Sequence, residues 1–318
     1  MRRRIPSLLV MMLVVAALPA LGQGREFSRT VDFESGGRLR MKTFKGSITV
    51  RAWDREQAEV KARIEPAEDT SEDYARRSVE ATQVEVRGGG RFLTIEADYE
   101  DVPCEESWWG MGCSKKLPYV HFEIRVPRQT DFRLEDHKSR IDLAGLEGDF
   151  ELDTHKGVVE LANLKGEMEL NTHKGEVDLA GFAGRLSLNT HKGNVELEDI
   201  EGEVELGTHR GHIRLVGLRG GVEAATHRGT ITIEADELSA DSELSTYRGT
   251  IELTLPREQR LTLRASLNRH AEFESDFELS TRIVGRERLE AKINGGGPPR
   301  LYIESEKGKI RLREGAAR

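Results

Sequence analysis

The 318-residue chain carries 48 bases against 56 acids, a formal net charge of −8, and only 6% aromatic residues. The acidic balance argues against nucleic acid as a general partner, and the shortage of bulky side chains favours a thin, elongated body over a compact globule. Arg2, Arg3 and Arg4 precede an almost wholly apolar run from Ile5 to Leu18, and Ala20-Leu21-Gly22 supplies small residues where a signal peptidase reads. Residues 1–22 are therefore expected to be a secretory signal, with a retained anchor as the alternative. Loss of the three arginines takes the formal charge from −8 to about −11, and no second apolar run follows. The mature chain is expected to have no transmembrane segment and to be exported, either periplasmic or extracellular at the cell surface.

In residues 23–130 the first unit is Leu39-Arg-Met41-Lys-Thr43-Phe44-Lys45-Gly46-Ser-Ile48-Thr-Val50, a strand, a turn and a second strand. Ala58 to Pro66 alternates as a strand. Thr70 and Asp73 form a capping-box pattern ahead of a short helix over Tyr74 to Ala81. Gln83 to Arg87 and Arg91 to Ala97 read as a hairpin about Gly88-Gly89-Gly90, and Tyr119 to Val126 as a strand ended by Pro127. Between them Cys104 and Cys113 close an eight-residue loop, and an oxidising compartment favours one disulfide over two free thiols. The loop holds Trp108, Trp109 and Met111, either an exposed contact surface for sugar or protein or a cover for one end of the core.

Residues 131–256 are dominated by self-similarity. His137, His155, His173, His191, His209 and His227 recur every 18 residues, and Tyr247 continues the series after a two-residue insertion. Threonine precedes the ring from Thr154 onward, and a base follows it at Lys138, Lys156, Lys174, Lys192, Arg210, Arg228 and Arg248. Glycine closes the turn except at Ser139, and a second glycine column runs Gly148, Gly166, Gly184, Gly202, Gly220. Apolar columns such as Ile141/Val159/Val177/Val195 and Leu143/Leu161/Leu179/Leu197 are offset by two, the strand period, with charged residues between them facing water. One coil cannot bury its apolar face alone; stacking buries it, at about 4.8 Å per coil. The reading is an all-β, single-domain parallel β-solenoid (β-helix) of 18-residue coils, with a short N-terminal helix and hairpin excursion and capping strands. Residues 257–318 supply C-terminal strands and a cap, broken at Gly295-Gly296-Gly297-Pro298-Pro299, and Leu301 to Leu312 repeats the coil unit around Lys307-Gly308.

The chain resembles a bacterial β-strand-repeat family of unknown function that carries a provisional adhesin label. The resemblance rests on Gly36-Gly37-Arg38-Leu39 leading into Lys45-Gly46-Ser47-Ile48, on Ala52-Trp53-Asp54, and on the strand ending Val126-Pro127. The central repeats and the glycine-rich lead into Lys307-Gly308-Lys309-Ile310 complete it. It implies an exported β-solenoid and brings no catalytic residue. The uniform histidine column and the Cys104–Cys113 loop depart from the family pattern.

The histidine column is expected to be a structural ring stack that fixes register, since Phe44 and Tyr247 hold equivalent places. Divalent metal is the sharper alternative, but parallel rings do not converge their nitrogens on one ion, so no metal or other cofactor is assigned. A pH response lies between these, because close imidazoles beside a basic column resist protonation. The bases are expected to pair with outward carboxylates such as Glu160 and Glu196 or simply to keep the rod solvated; a grip on an anionic polysaccharide or headgroup is the alternative. No paired catalytic carboxylates, nucleophile elbow or phosphate loop stands out. The expectation is a non-enzymatic solenoid with a structural or adhesin-like role, its partner a polysaccharide or an envelope protein. The contrasting reading is a carbohydrate-active protein working on envelope or extracellular polysaccharide.

Overall fold

A computed structural model describes residues 24–106, 113–283 and 288–315. The signal segment, and Trp108, Trp109 and Met111, lie outside the described residues. The protein is almost entirely strand, with one helix among the described residues.

Strands β1 (Arg25–Lys42) and β2 (Lys45–Trp53) form the first coil, turning at Thr43-Phe44. The chain then departs through β3 (Gln57–Glu65), α1 (Glu72–Ala81), β4 (Gln83–Asp98), the two-residue strands β5 (Glu105–Glu106) and β6 (Cys113–Ser114), and β7 (Tyr119–Pro127). It returns to the stack as β8 (Thr130–Ala144), β9 (Glu147–Lys192), β10 (Val195–Leu238) and β11 (Ser242–Pro256). Laid straight, the 46 residues of β9 would run roughly 150 Å, far beyond an ordinary strand. They bend at each corner instead.

The pairing confirms the repeat at residue level. Phe132 lies opposite Phe150, Ile141 opposite Val159, Val195 opposite Val177 and Val204 opposite Leu186, all in parallel and all 18 residues apart. The two-residue insertion lengthens one step to 20, so Ile231 meets Ile251. The outlying units take their expected places: Lys45 and Ile48 lie beside Lys138 and Ile141, and Lys307 and Ile310 beside Arg248 and Ile251. Inward columns are fully buried in one cluster that runs from Met41 and Phe122 through the repeats to Leu263 and Ile303.

The sheet is mixed rather than purely parallel, which corrects the simplest solenoid reading. Antiparallel pairs sit at both ends: β1 with β3 and β3 with β7 at one, and β12 (Leu261–Ser275) with β14 (Arg288–Ile293) and β14 with β13 (Leu279–Ile283) at the other. Short connections can reverse a chain but cannot carry it round a coil, so the excursions pair antiparallel. The ends are also filled out of sequence order. β1 and β2 lie between β8 on one side and β4 and β7 on the other. At the opposite end β15 (Arg300–Gly315) lies between β11 and β12.

The helix begins at Ser71, not at the expected Thr70. The Ser71 side chain accepts the Tyr74 N–H at 3.3 Å, while Thr70 donates its hydroxyl to the Ala67 carbonyl at 2.8 Å and so belongs to the preceding turn. Tyr74 is buried; its hydroxyl donates to the Pro103 carbonyl at 2.9 Å and accepts the Lys116 N–H at 2.9 Å. The helix thereby holds both arms of the cysteine loop.

Two glycine columns are required by close approach as much as by turn geometry. At Gly202 (φ +129°) a β-carbon would sit 2.0 Å from the Gly184 carbonyl oxygen, and at Gly211 (φ +151°) 1.8 Å from that of Gly193. Only a bare α-carbon lets successive backbones meet there. Gly202→Ala is expected to cost at least ~2 kcal/mol, whereas Glu205→Ala on the exposed face should stay within ~0.5 kcal/mol. Thermal melts of both variants beside the wild type check this; equal losses would refute the steric account.

Candidate functional site

At the Thr-ring-base-Gly corner alternate side chains point in opposite directions. Threonine turns inward and the ring outward. The structure assembles the rings into a continuous stack: Phe44 on His137 at 4.5 Å between centroids, then His137, His155, His173, His191, His209, His227 and Tyr247 at 4.8–4.9 Å. Planes within the histidine run differ by 2–7°. Tyr99 closes the Phe44 end edge-on at 6.3 Å. The eight stacked rings span roughly 34 Å at the strand-to-strand step, so the backbone sets their separation. Each contact contributes on the order of 0.5–1 kcal/mol beyond burial, and together they resist a slip in register.

Stacking changes the imidazoles electrically. His155, His173 and His209 are held below the ordinary 6.5, first by desolvation within the stack and then by the charges of neighbouring histidines and of the adjoining Lys and Arg side chains. The rings lie side by side, and among the described residues no group of three or more His, Cys, Asp or Glu is gathered to hold a metal ion. One ring per coil cannot place four donors about 2 Å from a single ion.

Beside the rings runs a file of cations: Lys45, Lys138, Lys156, Lys174, Lys192, Arg210, Arg228, Arg248 and Lys307, in register from coil to coil. All but the half-buried Lys45 are exposed. Among the described residues none of the nine makes an ion pair. This overturns the expected pairing with outward carboxylates. Glu160 is taken by Arg140, as Glu151 is by Arg133 and Glu203 by Arg185. The acids and their partners share the strand faces, whereas the corner bases project from the turn. Lys45 and Lys307 instead lie over the Tyr119 and Tyr247 rings, at 3.9 and 6.0 Å. Burial and the neighbouring Lys138 push the Lys45 ammonium down, with Glu68 opposing.

On the far side of the ring ridge an open groove of ≈ 760 Å³ follows the rod, walled by Glu135, Asp153, Asn171 and Asn189 against His137 to His191. Behind the ridge stands a column of buried threonines. The hydroxyls of Thr172, Thr190, Thr208, Thr226 and Thr246 have no hydrogen-bond partner. The pattern changes at one coil. Asp136 occupies the threonine position and Ser139 the glycine position, and the two compensate each other. The Ser139 hydroxyl donates to Asp136 at 2.7 Å, its N–H at 2.9 Å, and Thr154 donates to the same carboxylate at 2.9 Å. Burial raises the Asp136 carboxyl above its usual range against those bonds. The same burial pushes the Tyr99 phenol, at the end of the ridge, up to about 12.

The cysteine loop is partly defined. β5 and β6 run antiparallel, with Glu106 opposite Cys113, which brings the two cysteine-bearing arms together; the Cys113 side chain is outside the described set. Sequence reasoning missed two features. Gly145, Asn163, Gly181, Asp199 and Gly217 all hold φ between 52° and 75°, a left-handed column whose signal was asparagine and aspartate alternating with glycine. The coupling of Asp136 to Ser139 was signalled by two departures in a single coil.

Fold and ridge define a β-solenoid of 18-residue coils with mixed, interlocked ends. The chain belongs to the Toastrack DUF4097 family, a domain of unknown function, which residues 47–313 match. Among solved structures it is similar to a provisionally named adhesin from Bacteroides fragilis, at 15% identity over 91% of this chain and 97% of that one, with a TM-score of 0.39. It is also similar to a provisionally named cell adhesion protein from Clostridium sporogenes (13%, 92% and 100%, TM-score 0.24). A third is a provisionally named lipid-binding protein from Parabacteroides distasonis (11%, 91% and 98%, TM-score 0.33). No curated protein matches. Among the described residues no helix is long and apolar enough to cross a membrane.

A histidine whose folded pKa lies below its unfolded value takes up its proton more readily when unfolded, so stability is lost as pH falls through 6.5 and below. Asp136 and Asp178, both raised, act in the opposite direction at more acid pH, and Glu274, lowered, adds to acid loss there. The melting temperature is therefore expected to drop between pH 7.5 and 5.5. The drop should shrink in a His155→Phe, His173→Phe, His209→Phe variant, which keeps the stack. An equal drop in both proteins would exclude the histidines as its cause. The Thr190 hydroxyl has no partner to lose, so Thr190→Val is expected to leave the melting temperature unchanged or raise it, by up to ~1 kcal/mol in stability. A clear fall in the melt would contradict that.

Proposed function

We propose that this protein is an exported, non-enzymatic solenoid with a structural or adhesin-like role at the cell envelope, binding along the ring-and-cation edge of the rod. The observation that carries the reading is the unpaired, exposed file of bases on a protein whose other outward charges are extensively paired. Export is supported by the arginine-led apolar N-terminus, and a Cys104–Cys113 disulfide fits the compartment it implies. The equal treatment of every coil supports binding over catalysis, because a reaction needs groups that converge at one place. The Trp108-Trp109 loop rests on its sequence alone and takes second place to the ridge.

The test pairs a glycan-binding screen with hydrolysis and lyase assays on envelope polysaccharides. Retention of glycan without turnover is the expected result. Turnover abolished by a single point substitution would replace this reading with a carbohydrate-active one.

A further inference from the structure

Resting on that adhesive reading, we infer that the cation file is a binding strip for an extended acidic polysaccharide carrying one carboxylate per sugar. Three observations lead there.

The first is the unmet charge. Neighbouring unit charges 4.8 Å apart repel by roughly 0.9 kcal/mol even at the dielectric of water, before salt screening. The chain repeats that cost along nine coils without supplying an acid, although acids outnumber bases overall, 56 to 48. On the strand faces the same fold pairs Arg140 with Glu160 and Arg185 with Glu203 without difficulty. An external anion completes what the corner leaves open.

The second is shape. The bases form one straight line rather than a patch, which suits a linear polymer lying along the rod. A lipid surface would meet only a single row of charges. Duplex nucleic acid is out of step, with phosphates every ~3.4 Å per strand, and the net negative rod repels it. One sugar of an extended glycan chain advances by about the strand-to-strand step, so each carboxylate can face its own base without strain accumulating along the chain.

The third is the neighbouring ridge. The ring faces cover one another, so a sugar cannot stack on them, but the ring edges remain available. Each coil then presents an imidazole edge with a nitrogen beside its base, one polar contact per sugar for hydroxyl groups. Protonation of the ridge in mild acid adds positive charge to the same edge. Glu135 and Asp153 on the opposite wall oppose it at one end, where Asn171 and Asn189 farther along do not. The central coils are accordingly the strongest part of the strip.

The experiment compares the wild type with a Lys174→Gln, Lys192→Gln, Arg210→Gln, Arg228→Gln variant, whose changed side chains are exposed and unpaired, so melting should be unaffected. The probes are polygalacturonate, its fully methyl-esterified form, dextran and polyphosphate, each titrated over a range of salt. Polygalacturonate is expected to bind the wild type, and the variant at least tenfold more weakly. The slope of log affinity against log salt should be shallower by about 3, the value for four charges on a single-stranded polyanion. Equal binding by the variant, equal binding of the methyl ester, or tighter binding of polyphosphate would each overturn the inference. Retention of neutral dextran alone would overturn it too, yet leave the adhesive reading standing. Failure to bind any of these or any envelope glycan would remove both.

Discussion

The parallel pairing of each coil with the next, at a step of about 4.8 Å and without change of register, is the constraint on which the rest depends. It fixes the 4.8–4.9 Å separation of the histidine rings, which no preference of imidazole itself would choose. It brings the Gly184 carbonyl to where a Gly202 β-carbon would stand, and so demands glycine. It also draws the bases into a file. A residue in such a fold is repeated as a property of an edge, and its energetic consequences are repeated with it. A favourable ring contact is gained in every coil; a repelling charge or an unmet hydroxyl is carried in every coil as well.

The ends show how a solenoid manages edges that would otherwise recruit other chains. Neither chain terminus forms the outermost coil. The first coil is enclosed between β8 and the later strands β4 and β7, and the last strand, β15, enters between β11 and β12. Fraying normally starts at a terminal element with one neighbour, but here the strands nearest each terminus have two. Release of β15 would uncover β11 and β12 together, so the cost of opening falls on two interfaces. The antiparallel strands and the helix then take the exposed positions, where short, reversible connections suffice.

Much of this was legible in the sequence because the repeat is strong. Six histidines at a spacing of 18 fix the coil length, and apolar residues two apart fix which face turns inward. The units at Leu39 and Leu301 could be matched to the same frame. Their neighbours could not, since Ile310 pairs with Ile251 across 59 residues and no local pattern encodes that distance. Antiparallel ends escaped for the same reason. The helix cap moved by one residue because Thr70 and Ser71 are both competent caps and the preceding turn claimed Thr70. The charge pairing went wrong on direction: Glu160 is near the corner in sequence, but it shares a strand face with Arg140 and not with the turn. Asp136 and Ser139 show the opposite case, two irregularities that make sense only together.

A repeated edge also limits the chemistry available to it. Convergent sites gather unlike groups around one point, and a ladder of like groups cannot do so without breaking its own pattern. The single coil that does break it, at Asp136 and Ser139, spends its carboxylate on Ser139 and Thr154 and keeps it three-quarters buried. What a ladder can do is add weak, equivalent contacts to a partner that is itself periodic. Each base then contributes little, and linkage makes the later contacts effectively intramolecular, so binding strengthens with the number of coils engaged. A long thin rod, poor in aromatic bulk and rich in outward charge, is what that mode of recognition requires of a fold. The same sequence features that leave no room for a pocket in the core therefore favour an extended partner on the edge.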